Sequence, residues 1–347
     1  MDRLKSKFYE KAMAAIAEMK PFMKEHDNTI IDQVTIGQVF GGMRGIKSML
    51  WETSLLDAEE GIRFRGYSIP ELKTQLPSRG GEPLPEGLFW LMLTDEIPTE
   101  DDVNWLSNEW ERRRQIPAHT WKVLDSLDLD THPMTQLGIG ILSLQGKSEF
   151  SRQYAEGMNK RDYWDATYED AMNLIACLPQ VAAYIYRRTY KNNEQIAPDD
   201  SLDWSSNYAH MLGITEDENF KSLMRLYMTI HADHEGGNAS AHAVHLAGST
   251  LSDAYYSYVS GVNALAGPLH GLANQEVIKW IFEMVDQIEL VGFLRVCIDR
   301  GVPTELQDGV EEVLDAQTQP LQLGAHWIHD ERSVAQHQLH VRMRAGP

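Results

Sequence analysis

From Glu82 to about residue 287 the chain is written in the period of an α-helix, and this constrains the fold more than any other feature. Leu88, Leu91 and Met92 recur at three and four residues, as do Phe220, Leu223, Tyr227 and Ile230, which places each set on one helical face. The starts are marked locally. Pro83-Leu84-Pro85-Glu86 opens one helix, and Thr99 caps the next, with Trp105 and Trp110 on its buried side. His132-Pro133-Met134 opens a Gly- and Leu-rich helix over Gln136 to Leu144, whose small residues suit close packing or a subunit interface. Thr167-Tyr168-Glu169-Asp170 has the form of a capping box, predicting a helix from there to Tyr190 that bends at Pro179. Lys191 to Ser201 is a polar loop between helices. The expected fold class is all-α. With 347 residues, 43% of them hydrophobic, the chain has ample material for a core. No run of eighteen apolar residues points to a membrane span.

The first eighty residues read differently. Leu4, Phe8, Ala12, Ala15 and Met19 give the N-terminal twenty residues one apolar helical face, and Asp2, Glu10 and Glu18 are unlike an acid-poor transit peptide. Residues 28 to 70 read as short strands and turns, with Thr29-Ile30-Ile31 and Val34-Thr35-Ile36 as strands. Two glycine-flanked arginine stretches follow, Gly41-Gly42-Met43-Arg44-Gly45 and Gly61-Ile62-Arg63-Phe64-Arg65-Gly66. Such glycines let a backbone approach an anion while a guanidinium neutralises it, although pairs of this kind more often mark turns. Arg63 and Arg65 are read as structural ion-pairing residues. A net charge of −20 argues against nucleic acid as a partner and requires local cations at any site for a polyanion. Cys177 and Cys297 are too few for a disulfide framework, which fits a reducing, intracellular setting.

Chemistry concentrates between Arg225 and Trp280, which holds His231, His234, His242, His245 and His270. An apolar helical stripe runs into His231-Ala232-Asp233-His234-Glu235, and Gly236-Gly237 then stops it, leaving the histidines at a helix end where side chains can face a cleft. His242 and His245 are read as packing residues. His231 and His234 stand three residues apart and could hold a metal, but the pattern is not H-E-x-x-H and no further ligand lies at suitable spacing, so no metal is expected. His270 lies in Gly267-Pro268-Leu269-His270-Gly271, a tight loop before a helix over Gln275 to Val285 that Asn274 caps. The positive end of that helix disfavours a protonated ring, which predicts a neutral His270 acting as a hydrogen-bond donor.

The H-A-D-H-E-G-G-N stretch, the G-P-L-H-G loop, GGMRG and EGIRFRGYSIPE together resemble citrate synthase in its eukaryotic mitochondrial form, up to about Gln287. The resemblance implies an all-helical fold with a large domain, a smaller mobile domain and a homodimer that shares its active sites. It implies condensation of acetyl-CoA with oxaloacetate, with acetyl-CoA as substrate and no cofactor, metal, nucleic acid or membrane. By the same resemblance His270 donates to the thioester oxygen and Ser240 orients it. His234, with His231 and Asn238, binds oxaloacetate. Arg44 binds the phosphates of coenzyme A, and a second phosphate-binding cation falls at Lys160, followed by Arg161. The implied compartment is the mitochondrial matrix, its presequence removed or not part of this sequence, with the cytoplasm as the alternative.

After Gln287 the resemblance ends. The family's second histidine, its aspartate base and its further arginines have no placeable counterparts, and Gly324-Ala325-His326-Trp327-Ile328 is read as a chance echo. Glu289 to Pro347 holds no Lys, Asn or Tyr, which suggests a changed reading frame or an alternative exon. The expected organisation is 1–287 as the large-domain region with the start of the small domain, and 288–347 as a non-matching tail whose composition predicts disorder. Two activities follow as alternatives, a citrate synthase or a catalytically impaired, truncated subunit.

Overall fold

The computed structural model describes residues 2–41, 46, 50–273, 275 and 277–280. The chain divides into two compact units, residues 1–34 with 45–266, and residues 35–44 with 267–347. The expectations for Arg44, for Asn274 and for the tail 288–347 lie outside the described residues.

The larger unit opens with helix α1, Arg3–His26, capped by Asp2, whose carboxylate accepts from the Lys5 amide at 2.6 Å. The smaller unit contributes helix α2, Ile36–Phe40, closed by a Thr35/Gln38 capping box. Two small antiparallel sheets follow. Strands β1 (Ser54–Asp57), β2 (Gly61–Phe64) and β3 (Tyr67–Ser68) form the first, in register Ser54 with Phe64 and Phe64 with Tyr67. Helix α3 (Ile69–Gln75) comes next, then the hairpin of β4 (Ser78–Arg79) and β5 (Glu82–Pro83). The rest of the larger unit is helical: α4 Pro85–Thr94, α5 Glu100–Arg113, α6 Ala118–Asp125, α7 Pro133–Leu144, α8 Glu149–Ala155, α9 Tyr163–Tyr190, α10 Trp204–Leu212, α11 Glu218–Ile230, α12 Ala239–Ser249 and α13 Ala254–Leu265. The all-α fold class holds, and none of the described helices is long and apolar enough to cross a membrane.

Helix α9 organises the packing. Its Leu174, Cys177, Val181 and Ile185 meet Leu124 of α6, Ile141 and Leu144 of α7, and Tyr255, Val259 and Val262 of α13 in one core. Its Tyr168, Met172 and Ala176 meet Leu4, Trp90, Leu106 and Trp110 in a second. The two sets lie on different parts of one 28-residue helix, so α1, α4 and α5 are tied to α6, α7 and α13 through a single rod.

Three expectations are corrected. Residues 28–35 form no strand; Ile30 and Ile31 are exposed, with no neighbouring strand among the described residues to take their backbone bonds, and Thr35 instead caps α2. Helix α9 begins at Tyr163, so Thr167 is interior rather than a cap, and Asp170 serves the next helix over by accepting from Ser148 Oγ and the amides of Glu149 and Phe150 at the start of α8. The third concerns α11. Its apolar positions Leu223 and Tyr227 are 56% and 48% exposed, while Lys221, Arg225 and Thr229 are buried.

Candidate functional site

Helix α11 ends at Ile230, and the chain turns through His231 to Asn238 before α12 begins. The turn is built from its own side chains. Asn238 caps α12 by accepting from the Ala241 amide at 2.9 Å, while its Nδ2 donates to the carbonyls of His234 and Glu235, both at 3.0 Å. One amide therefore closes the loop at its exit, as a cap residue is suited to do. Glu235 sits in the left-handed region at φ +44°, and a Cβ on Gly237 would lie 2.8 Å from Glu235 Oε1, the far end of that side chain. His231 and His234 are both exposed; His231 Nδ1 meets the Tyr227 carbonyl at 2.9 Å, and its ring lies 4.2 Å from the Tyr227 ring.

Helices α12 and α13 approach closely. A Cβ on Gly261 would lie 2.6 Å from Val244 Cγ2 and 3.2 Å from the Ser240 carbonyl, and Ser240 Oγ donates to the Gly261 carbonyl at 3.0 Å. His270, in the smaller unit, occupies a turn whose amide bonds to the Gly267 carbonyl at 3.0 Å and whose carbonyl accepts from Ala273 at 3.1 Å. His245, expected as a packing residue, is exposed, with its ring 5.2 Å from that of Trp51.

The cations divide by use. Arg63 pairs with Glu60 at 2.6 Å, and Arg65 donates to the Met92 carbonyl at 2.6 Å, so both are consumed structurally, as the sequence suggests. Arg161 lines a cavity of about 710 Å³ with Tyr9, Met13, Asn159, Trp164 and Asp162, whereas Lys160 is not among its lining residues. Glu156 and Asp165 line the same cavity, so three carboxylates share it with Arg161. No group of three or more His, Cys, Asp or Glu side chains among the described residues could hold a metal ion.

Sequence reasoning missed the residues that hold the histidine loop from outside. Thr53 Oγ1 and Trp51 Nε1 both donate to Asp233 Oδ2, at 2.5 and 3.2 Å, and the Glu235 amide donates to Ser54 Oγ at 2.7 Å. The partners stand about 180 positions apart in the chain, and no local signal links them.

Residues 42–321 match the family model described as "Citrate synthase, C-terminal domain". The chain belongs to the citrate synthase family. It is 54% identical over 271 residues to a mitochondrial citrate synthase of Daucus carota, covering 78% of this chain and 57% of the relative. It is 51% identical over 290 residues to a mitochondrial 2-methylcitrate synthase of Yarrowia lipolytica, covering 83% and 62%. The chain thus spans about three fifths of the length of these relatives. The citrate synthase of Pyrobaculum aerophilum superposes with a TM-score of 0.63 at 27% identity, over 76% of this chain and 64% of that one. A ternary complex of the Thermoplasma acidophilum citrate synthase, with carboxymethyl coenzyme A and oxaloacetate, gives 0.60 at 19% identity, over 76% and 64%, and shares the fold. The match to the citrate synthase family model runs past Gln287, to residue 321.

Proposed function

We propose that the chain is a transferase of the mitochondrial matrix that condenses acetyl-CoA with oxaloacetate, with acetyl-CoA as substrate and no cofactor. The observation that carries this reading is 54% identity to a citrate synthase over 271 residues that include the histidine loop. The reaction removes a proton from the acetyl methyl group and forms a carbon–carbon bond to the oxaloacetate keto carbon. Water then cleaves the thioester of citryl-CoA, releasing citrate and CoA. A thioester enolate is too unstable to form freely in water, so a donor must meet the oxygen as negative charge develops there. His270 takes that role, with Ser240 as its orienting residue. His234, His231 and Asn238 serve oxaloacetate, Asn238 by holding the backbone at His234 and Glu235. Arg44 and the Lys160–Arg161 pair serve the coenzyme A phosphates; of that pair, Arg161 lines the cavity beside Tyr9 and Trp164.

The active form is proposed to be a homodimer, which fits the apolar side chains of Leu223, Tyr227, Leu246 and Tyr256 left on the surface. The test is release of free thiol from acetyl-CoA in the presence of oxaloacetate, repeated with propionyl-CoA because one relative is a 2-methylcitrate synthase. Turnover by the purified chain is expected, with a loss of about a hundredfold to ten-thousandfold in His270→Ala. A dimeric chain that releases no thiol from either acyl-CoA would overturn the assignment in favour of an inactive subunit.

A further inference from the structure

We infer that residues 51–56 form a clasp that positions the histidine loop, with the Thr53–Asp233 hydrogen bond as its principal tie. As an account of substrate binding this rests on the role proposed for His234; as an account of loop geometry it stands on the following contacts alone.

The loop alternates between residues turned out and residues held. His231 and His234 are exposed, whereas Asp233 and Glu235 are partly covered and engaged by the segment 51–56. Asp233 Oδ2 accepts from Thr53 Oγ1 at 2.5 Å and from Trp51 Nε1 at 3.2 Å, and its Oδ1 accepts from the His234 amide at 3.0 Å. One carboxylate thus joins the clasp through one oxygen to the backbone of His234 through the other. Glu235 is held twice as well. Its amide donates to Ser54 Oγ at 2.7 Å, and its Oε2 accepts from the Leu56 amide at 3.1 Å. These bonds bracket the one residue of the loop with positive φ, a conformation that a side chain resists and that persists where surrounding contacts enforce it.

Ser54 opens strand β1, and its register with Phe64, which is fully buried, fixes the strand against the body of the larger unit. The loop is therefore referred to a rigid strand on one side and to Asn238 on the other. A histidine presented on a loop needs such support if its ring is to stay within a fraction of an ångström of a ligand. Hydrogen bonds to a carboxylate are the stronger kind and have geometry to impose.

The test uses the full chain with Thr53→Val, which keeps the shape and removes the donor, and Thr53→Ser, which restores it. Two readouts are taken. The first is the set of histidine ring signals by NMR without any ligand. In Thr53→Val the His231 and His234 signals are expected to shift or broaden and in Thr53→Ser to return, with secondary structure by circular dichroism unchanged. The second is oxaloacetate affinity by calorimetry, expected to fall about tenfold in Thr53→Val and to recover in Thr53→Ser. Unchanged ring signals in Thr53→Val, or a serine variant as impaired as the valine one, would overturn the clasp. If the ring signals respond as expected but the unaltered chain binds no oxaloacetate, the clasp stands and the substrate reading fails. Should Thr53→Val not fold, Trp51→Phe removes the second donor to the same oxygen and is expected to shift the same two ring signals by less; no shift would again overturn the clasp.

Discussion

The middle of helix α9 and the inner face of helix α11 are covered by different means. Around Val181, α9 is covered by aliphatic and aromatic side chains from α6, α7 and α13. Helix α11 turns Lys221, Arg225 and Thr229 inward and leaves Leu223 and Tyr227 outside. Arg225 reaches Asp203 Oδ2 with Nε and Nη2 at 3.1 and 2.9 Å and Ser206 Oγ at 2.6 Å, and Thr229 donates to the Pro83 carbonyl at 3.1 Å. An apolar stripe records that a face is suited to burial, without naming what buries it. On α9 the cover comes from this chain. On α11 the inner face is held by directed bonds, which suits a helix that ends at the histidine loop, because hydrogen bonds fix rotation and register where apolar contact permits sliding.

The largest expected effect tests that contrast. Arg225→Met leaves Asp203 buried without its cation and should cost about 3–5 kcal/mol in denaturant unfolding, as removal of one partner of a buried pair does. Leu144→Ala, in the α9 core, should cost about 2–5 kcal/mol through lost contact and a residual cavity. The two differ in reversibility. Adding Asp203→Asn to Arg225→Met should return part of the loss, because the uncompensated charge goes with it, while no second truncation repairs the cavity left by Leu144. A loss below about 1 kcal/mol in Arg225→Met, within the range of a surface pair, would break the comparison.

Acid sharpens it, since the two regions contain carboxylates displaced in opposite senses. Burial alone would raise Asp203, and the Arg225 guanidinium overrides it and holds the group below the ordinary carboxylate range. Its stabilisation is present above the unfolded value and is lost as pH falls through the lower folded value. Asp170, on α9, is pushed up from 3.8 to about 6 by burial and then by the neighbouring Asp253 carboxylate, against the bonds from Ser148, Glu149 and Phe150. Here the folded chain holds the proton more tightly. The contribution is complete below the unfolded value of 3.8 and is lost as pH rises through about 6. The stability of the unaltered chain relative to Asp170→Asn should therefore decline by about 1–3 kcal/mol on going from acid to neutral pH. A difference that grows over the same interval would reverse the assignment.

The same contrast sets how much was legible beforehand. Thr99 was readable as a cap and Pro133 as a helix start because these signals act within one turn of chain, and both sit where expected. The H-A-D-H-E-G-G-N stretch was readable as following a helix, but the stop was misplaced: α11 ends at Ile230, before either histidine, and the left-handed residue is Glu235 rather than Gly236 or Gly237. The start of α9 was misplaced because Asp170, which suits a capping box, spends its carboxylate on α8 instead. The strands expected at Thr29 and Val34 failed because a β-branched run needs a neighbour, and pairing is a tertiary fact. Thr53 and Trp51 could not be found at all. Nothing near them in sequence announces that an aspartate about 180 residues on will accept their hydrogen bonds.

The smallest expected effect lies on the outer face of α11. Leu223→Ala removes a side chain that is already more than half exposed, so the loss measured on the dissociated chain should stay within about 0.5 kcal/mol, as for surface positions generally. The measurement needs protein dilute enough to be monomeric, because a homodimer that covers this face would add its own contribution at higher concentration. A small loss when dilute and a larger one when concentrated would show that the stripe is satisfied by a second copy. A loss as large as that of Leu144→Ala, independent of concentration, would mean that the chain itself covers Leu223, and the outer face of α11 would then belong with α9.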